Sequence, residues 1–178
     1  MKNKESNVNK WNFFGWNNMA KFIKNVPSMV IGAKFLEDCE TVEDWGTGDG
    51  IFKNHREDAI GVDGSNTPGA DKKFIDLTTY TTQCEGIFLR HVLEHNYEWD
   101  KILHNLLKSA TKKICIIMFI PFIDGETKEL NYHQLGVPDL AISQQEFMKI
   151  LTEYPIDFEI DKETLKKYNE EIIFITKK

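Results

Sequence analysis

The sequence predicts an α/β fold: a mostly parallel, seven-stranded sheet with helices on both faces and a C-terminal antiparallel hairpin. Three observations carry this. Short apolar runs alternate with helix-periodic stretches from about residue 40 onward. One run, Lys113–Phe119, is continuously apolar, as a strand buried on both faces of a parallel sheet must be. The last two strand candidates are joined by a turn too short for a crossover, so they pair antiparallel.

The elements follow in order. Residues 1–10 are polar and expected to form a disordered tail. Residues 11–178 are expected to form a single domain, with a helical segment at 11–39 and the α/β core at 40–178. Trp16, Met19, Ala20, Ile23 and Val26 recur at helical spacing until Pro27 interrupts them. A second helical piece runs from Met29 to about Cys39. Strands are expected at Thr41–Asp44, Ala59–Asp63, Lys73–Asp76, Gly86–Leu89 and Lys113–Phe119. Only about a dozen residues separate Gly50 from Asp63, and again Asp63 from Asp76, so the early crossover helices are short or missing. A helix from about Tyr97 to Ala110 buries Trp99, Ile102, Leu103, Leu106 and Leu107. Pro121 and Gly125 open a long loop. Ser143 caps the helix Gln144–Tyr154, with Glu146 completing a capping box. Phe158–Leu165 and Glu171–Thr176 close the sheet around a turn at Lys167–Glu170.

Composition narrows the function. A chain of 178 residues can bury a core without staples. Its net charge of −6 and the absence of a basic stripe argue against a nucleic-acid partner. Cys39, Cys84 and Cys115 are odd in number and lack metal-ligand spacing. No apolar run reaches the roughly 18 residues that span a bilayer, and the polar N-terminus has no signal core. A cytoplasmic setting is expected.

The segment Asp44-Trp45-Gly46-Thr47-Gly48-Asp49-Gly50 is the most informative. Glycines at alternate positions after a strand allow a tight turn and close approach to a ligand. A Rossmann dinucleotide site would show G-x-G-x-x-G; this chain has G-x-G-x-G with Asp44 two residues ahead. Pyrophosphate wants bare N–H groups, and Asp44 and Asp49 would repel it. A ligand carrying an ammonium and a sulfonium would be attracted instead. Asp63, at the end of the second strand, is placed to accept from ribose hydroxyls. Asp76, at the end of the third, could accept from an adenine amino group, with the Leu77 backbone nearby.

These motifs, with Gly61-Val62-Asp63-Gly64-Ser65, Ile75-Asp76-Leu77 and Arg90-His91-Val92-Leu93-Glu94-His95, resemble those of class I S-adenosylmethionine-dependent methyltransferases. The branch they are most similar to is the compact, Rossmann-like one typified by ubiquinone- and sugar-modifying enzymes. The resemblance is close over residues 40–120 and extends beyond them only in the order of elements. It implies S-adenosylmethionine as cofactor, S-adenosylhomocysteine as product, and methyl transfer to an oxygen or nitrogen of a small molecule or sugar. It implies that Asp44, Trp45, Gly46, Gly48 and Gly50 approach the methionine moiety and that Asp63 and Gly64 meet the ribose. Asp76 and Leu77 would meet the adenine, and the backbone of Leu89, Arg90 and His91 would lie beside the sulfonium.

His91-Val92-Leu93-Glu94-His95 also matches H-x-x-E-H, a zinc-peptidase signature. No long ligand-bearing helix surrounds it, so no metal site is expected; Glu94 and His95 instead fasten the loop. A hydroxyl acceptor needs a general base, for which His133 and, second to it, His95 are the candidates. Asp124, Glu126 and Glu129 form an acidic cluster that could take a cationic acceptor or a metal. With no inserted cap, the acceptor pocket is expected from Trp11, Phe13, Phe14 and Trp16 and the 124–140 loop, and to be either open or completed by a second copy or a partner subunit. The alternative reading is a non-catalytic, cofactor-binding assembly or regulatory subunit.

Overall fold

In the computed structural model, which describes residues 7–13, 26–132 and 136–178, the continuously apolar run becomes the central strand. This strand, β4 (Ala110–Met118), pairs in parallel with β3 (Cys84–Arg90), setting Ile87 beside Ile114 and Leu89 beside Ile116. On its other side it pairs antiparallel with β8 (Glu171–Lys177). Next to β3 lies β1 (Val42–Trp45) and then β2 (Ile60–Val62), both parallel; β7 (Ile156–Asp161) closes the far edge against β8. The spatial order is β2-β1-β3-β4-β8-β7.

The two-residue period of β4 divides the core between the faces of the sheet. Ile114, Ile116 and Met118 point to one face, where α2 (Trp99–Ser109) and α3 (Gln144–Leu151) bury Ile102, Leu103, Leu106, Phe147 and Ile150. Cys115 and Ile117 point to the other, covered by α1 (Pro27–Phe35) with Met29, Leu36 and Phe52. Helices therefore lie on both faces, as expected.

The first crossover shrinks to a single 3-10 turn, Ile51–Asn54. The second is a loop that meets β2 at the isolated bridge Val62–Lys72 and at Gly61, which accepts from the Asp71 N–H and donates to the Asp71 carboxylate. The expected strand at 73–76 does not form, so among the described residues the main sheet has six strands rather than seven. Lys72 turns inward to pair with the buried Glu43 at 2.6 Å, and Tyr80 joins them; Phe74 then lies at φ +59°, outside any strand conformation.

Other boundaries shift for local reasons. Pro27 opens α1 rather than merely interrupting a helix, because its missing N–H costs nothing at the first helical position. Expected strand 158–165 stops at Asp161, whose carboxylate caps α4 (Lys162–Tyr168); Asn169, in the left-handed region, ends that helix. The 124–140 segment is not only loop: β5 (Lys128–Tyr132) and β6 (Pro138–Ala141) pair within it as a separate two-stranded sheet. Ser143 does cap α3, accepting from the Glu146 N–H. Its own N–H is satisfied by Thr127 Oγ1 at 2.9 Å rather than by Glu146. Residues 7–10, expected as part of the tail, are packed against the site, as described below. The upstream helical stretch through Ile23, together with Phe14 and Trp16, lies outside the described residues.

Candidate functional site

The ends of β1, β2 and β3 open onto a cavity of about 330 Å³. That is where ligands bind in open α/β sheets, beyond the carboxyl ends of the strands. Its floor is the glycine loop. Gly46 sits at φ +76°, and a Cβ there would lie 2.3 Å from Val92 Cγ2, so the turn requires glycine. The Gly48 N–H donates to Asp63 Oδ2 at 3.0 Å, and the Ser65 N–H to Asp63 Oδ1 at 2.8 Å. One carboxylate thus fastens the β1 and β2 loops together at the mouth of the cavity.

Asp44 and Asp63 are both buried and both line the cavity. Burial, reinforced by the charge of Asp63, pushes the Asp44 carboxyl up to about 7; burial raises Asp63 as well. Among the described residues no ion pair reaches either one. Two desolvated acids facing one cavity create a field that favours a cation. At one end of the cavity, Asp76 accepts from the N–H and hydroxyl of Thr78 at 3.0 and 2.7 Å, which shapes the turn holding Ile75, Leu77 and Thr78 on the cavity wall.

At the opposite end, β3 delivers Arg90 and His91. His91 is forced to φ +56°, a strained conformation held by its N–H donating to the Ile117 carbonyl at 2.9 Å. Both side chains converge on Glu170: Arg90 Nη2 lies 2.6 Å and His91 Nε2 2.7 Å from its Oε1. Burial pushes the Glu170 carboxyl up, but His91 and the Arg90 guanidinium outweigh it and hold it at about 2. Burial lowers His91 below the usual histidine range.

His95 follows on a 3-10 turn, Leu93–His95. Its Nδ1 is 3.0 Å from the Pro138 carbonyl oxygen and 3.2 Å from Asp139 Oδ1, and its ring packs edge-on against Trp11 and beside Phe119. Glu94 points the other way, fully buried, and accepts from the Phe119 N–H at 3.0 Å; burial pushes it up to about 7.

Residues 7–13 form a strap across the cavity. The Asn9 N–H donates to the Gly64 carbonyl and the Trp11 N–H to Ser65 Oγ, on the β2 side. Asn7 Nδ2 donates to Asn96 Oδ1, and Lys10 Nζ to the Gly136 carbonyl, on the His95 and hairpin side. Asn7, Val8 and Trp11 become cavity wall.

Most residues expected to bind the cofactor meet here: Asp44, Gly46, Gly48, Asp63, Gly64, Asp76, Leu77, Arg90 and His91 all line the cavity. Three do not. Trp45 faces the core and donates its ring N–H to Glu43, because side chains alternate along β1. The Leu89 side chain is turned inward in the same way on β3, which leaves only its backbone, the part expected to approach the ligand, on the site side. Gly50 instead lets the loop at Gly69 lie against the glycine turn, where a Cβ would be 2.8 Å from Gly69 Cα. Of the expected acceptor-side residues, Trp11 lines the cavity, and the side chain of Phe13 and all of His133 lie outside what the structure describes. Glu129 of the acidic cluster accepts a hydrogen bond from the Tyr97 hydroxyl. His91 and His95 are committed to different partners. Among the described residues no three His, Cys, Asp or Glu side chains gather with metal-binding geometry.

Asn7, Met29, Asn96, Asp139 and Glu170 were not legible as site residues. None belongs to a motif, and Glu170 lies 80 residues from Arg90 in sequence. The one usable signal was the position of Asp139 in the segment after β4.

No protein-family model matches the chain, and no curated protein sequence matches it. Solved structures do. The Burkholderia thailandensis 1,6-didemethyltoxoflavin N1-methyltransferase, with its acceptor and S-adenosylhomocysteine bound, superposes with a TM-score of 0.64 at 14% identity, covering 94% of this chain and 84% of that one. The Synechocystis magnesium protoporphyrin IX methyltransferase, with S-adenosylmethionine bound, gives 0.61 at 12% identity, covering 94% and 93%. A Mesorhizobium loti S-adenosylmethionine-dependent methyltransferase gives 0.60 at 9% identity, covering 89% and 100%. The chain has the class I S-adenosylmethionine-dependent methyltransferase fold.

Proposed function

We propose that this chain is a methyltransferase that binds S-adenosylmethionine in the cavity and methylates an oxygen or nitrogen of a small molecule. One observation carries the reading: two buried carboxylates, Asp44 and Asp63, face a bare-backbone glycine turn with no cation paired to either among the described residues. A sulfonium-bearing adenosine ligand fits that donor set, and a pyrophosphate does not. The fold shared with structures that hold this cofactor or its product supports the assignment.

In this reading Asp63 accepts from the ribose hydroxyls, and Asp76 with the Leu77 backbone meets the adenine. Gly46 and Gly48 lie along the methionine chain, and Asp44 offsets its positive charge. When bound, the cofactor supplies an activated methyl group on a good leaving group. The protein's tasks are to hold the acceptor in line and to exclude water. The strap at Asn7, Val8 and Trp11 serves the second task, and Trp11, Met29 and His91 wall the acceptor side. No helix among the described residues is long and apolar enough to cross a membrane, which fits a protein working on small molecules in the cytoplasm.

Calorimetry with S-adenosylhomocysteine tests the reading, and micromolar binding is expected. Labelling of metabolite extracts with methyl-tritiated S-adenosylmethionine then separates an enzyme from a binding subunit. Transfer of label supports the enzyme, whereas binding without transfer to any acceptor favours a subunit that serves assembly or regulation. Sedimentation at increasing concentration shows whether a second copy completes the acceptor side.

A further inference from the structure

Residues 72–80 carry one wall of the cavity without a strand or helix to stiffen them, and a buried carboxylate, Glu43, holds both ends of that segment. Side chains alternate along β1, so Glu43 points away from Asp44, on the face that carries Trp45, and is only 3% exposed. At one end of the segment Lys72 Nζ donates to Glu43 Oε1 at 2.6 Å. At the other end the Tyr80 hydroxyl donates to the same oxygen at 3.2 Å and accepts from Lys72 Nζ at 2.9 Å. Thr82 Oγ1 at 3.3 Å and the Trp45 ring N–H at 2.8 Å complete the set, so both carboxylate oxygens are engaged. Backbone bonds tie the segment to the site: the Lys72 carbonyl accepts from the Asp63 N–H at 2.9 Å and the Asp63 carbonyl from the Ile75 N–H at 3.0 Å. The Asp76 carbonyl accepts from the Tyr80 N–H at 2.8 Å, and Asn105 of α2 donates to the Leu77 carbonyl at 2.9 Å. Between the two clasped residues lie Ile75, Asp76, Leu77 and Thr78, all on the cavity wall.

We infer that Glu43 is a positioning residue: through Lys72 and Tyr80 it fixes the wall that reads the base of the ligand, and so sets base specificity from outside the cavity. The inference rests on the reading in which Asp76 and the Leu77 backbone meet the adenine. Glu43 does not itself line the cavity, so its influence runs through the segment it holds. A buried ion pair adds little net stability, because desolvating two charges offsets most of their attraction. The effect of this pair is therefore geometric. A segment with no ladder or helical bonds of its own must be ordered by other contacts, and any order missing from the free protein has to be supplied by the ligand, which weakens binding. Bonds among Glu43, Lys72 and Tyr80 reinforce one another in their buried setting and close the segment at both ends. Thr78 then fixes the direction of the Asp76 carboxylate through its N–H and hydroxyl. An ionised carboxylate held in one place accepts from an amino group and rejects a carbonyl. Released from the clasp, the wall adapts to either, and discrimination is lost.

Two variants of the full chain test this. Glu43→Gln combined with Lys72→Met removes both charges together and leaves an amide oxygen for the Trp45 ring N–H, so no buried charge is stranded. Tyr80→Phe removes only the hydroxyl, keeps the ring against Trp45, and carries the test by itself if the double variant does not fold. Amide hydrogen exchange in the ligand-free protein should quicken by about tenfold or more at Ile75 and Thr78 in both variants and stay unchanged at Ile116 in β4, because the opening is local. Calorimetry with S-adenosylhomocysteine and with S-inosylhomocysteine, in which a carbonyl replaces the purine amino group, then reads base specificity. Wild type should prefer the adenosyl ligand by about tenfold or more. In the variants its affinity should fall by about tenfold while that of the inosyl ligand moves by less than about threefold, so the preference collapses. A residue that served stability alone would leave the ratio of the two affinities where it was. Unchanged exchange at Ile75, an unchanged ratio, or equal losses on both ligands overturns the inference. A wild-type protein that binds neither ligand overturns the adenosine reading instead, and the exchange rates still decide whether Glu43 holds the wall.

Discussion

Replacing Asp44 by Asn removes the charge on which the cofactor assignment depends, and the consequence can be worked from the structure. In the ligand-free protein, burial holds the Asp44 carboxyl at about 7. A cationic ligand binds the ionised form, so affinity follows the ionised fraction: roughly a tenth at pH 6 and nine-tenths at pH 8. Affinity for S-adenosylhomocysteine, which keeps the ammonium, should therefore rise about tenfold across this interval, or about 1.4 kcal/mol. Binding at pH 6 should release close to one proton per ligand, and at pH 8 nearly none. A unit charge at about 4 Å in partly buried surroundings is worth up to about 4 kcal/mol before desolvation is counted. Asp44→Asn should accordingly weaken binding by about 2–3 kcal/mol at pH 8 and flatten the pH profile. Isothermal calorimetry in two buffers of different ionisation heat measures affinity and proton release together. A wild-type profile that is flat, or a pH slope that survives in Asp44→Asn, would refute the electrostatic argument.

Other outcomes follow from the same geometry. Gly46→Ala places a Cβ 2.3 Å from Val92 Cγ2 at φ +76°, and should lower stability by about 1–2 kcal/mol in chemical denaturation while abolishing cofactor binding. Asp44 and Glu94 both sit near 7 when folded, above their unfolded values of 3.8 and 4.5, so the folded state keeps protons that the unfolded chain has released. Stability of the ligand-free protein should thus fall as pH rises through that window, with a higher Tm at pH 5 than at pH 8. Half-buried His91 opposes this below its ordinary value, but it is one group against these two and Asp63. Below pH 4.5 the trend reverses, because Glu170, held at about 2, loses its contribution on protonation. Glu94→Gln should be tolerated within about 1 kcal/mol and remove part of this slope, whereas Glu94→Ala, which orphans the Phe119 N–H, should cost about 2–3 kcal/mol in urea unfolding. Glu170→Ala leaves Arg90 half-buried and unpaired, and should cost roughly 2–3 kcal/mol by the same measurement.

Local sequence was enough for whatever depends on near neighbours. The two-residue period and continuous apolarity of residues 113–119 fixed the centre of the sheet. The spacing of Gly46, Gly48 and Gly50, with Asp44 and Asp63 at two strand ends, marked the cavity and the sign of its field. Ser143 announced its helix. These rest on backbone freedom, side-chain alternation and caps, all set within a few residues. Tertiary structure alone decided the rest, because it depends on pairs distant in the chain. Lys72 paired with buried Glu43 in place of an expected strand. Trp45 and Leu89, adjacent to site residues, turned into the core because the pleat faces them there. Asn7 reached Asn96, Arg90 reached Glu170, and Asp139 came to His95 only once the hairpin had folded back. The charge that selects a ligand is written locally; the groups that orient its chemistry are brought together by long-range packing, for which a single sequence carries no periodic signal.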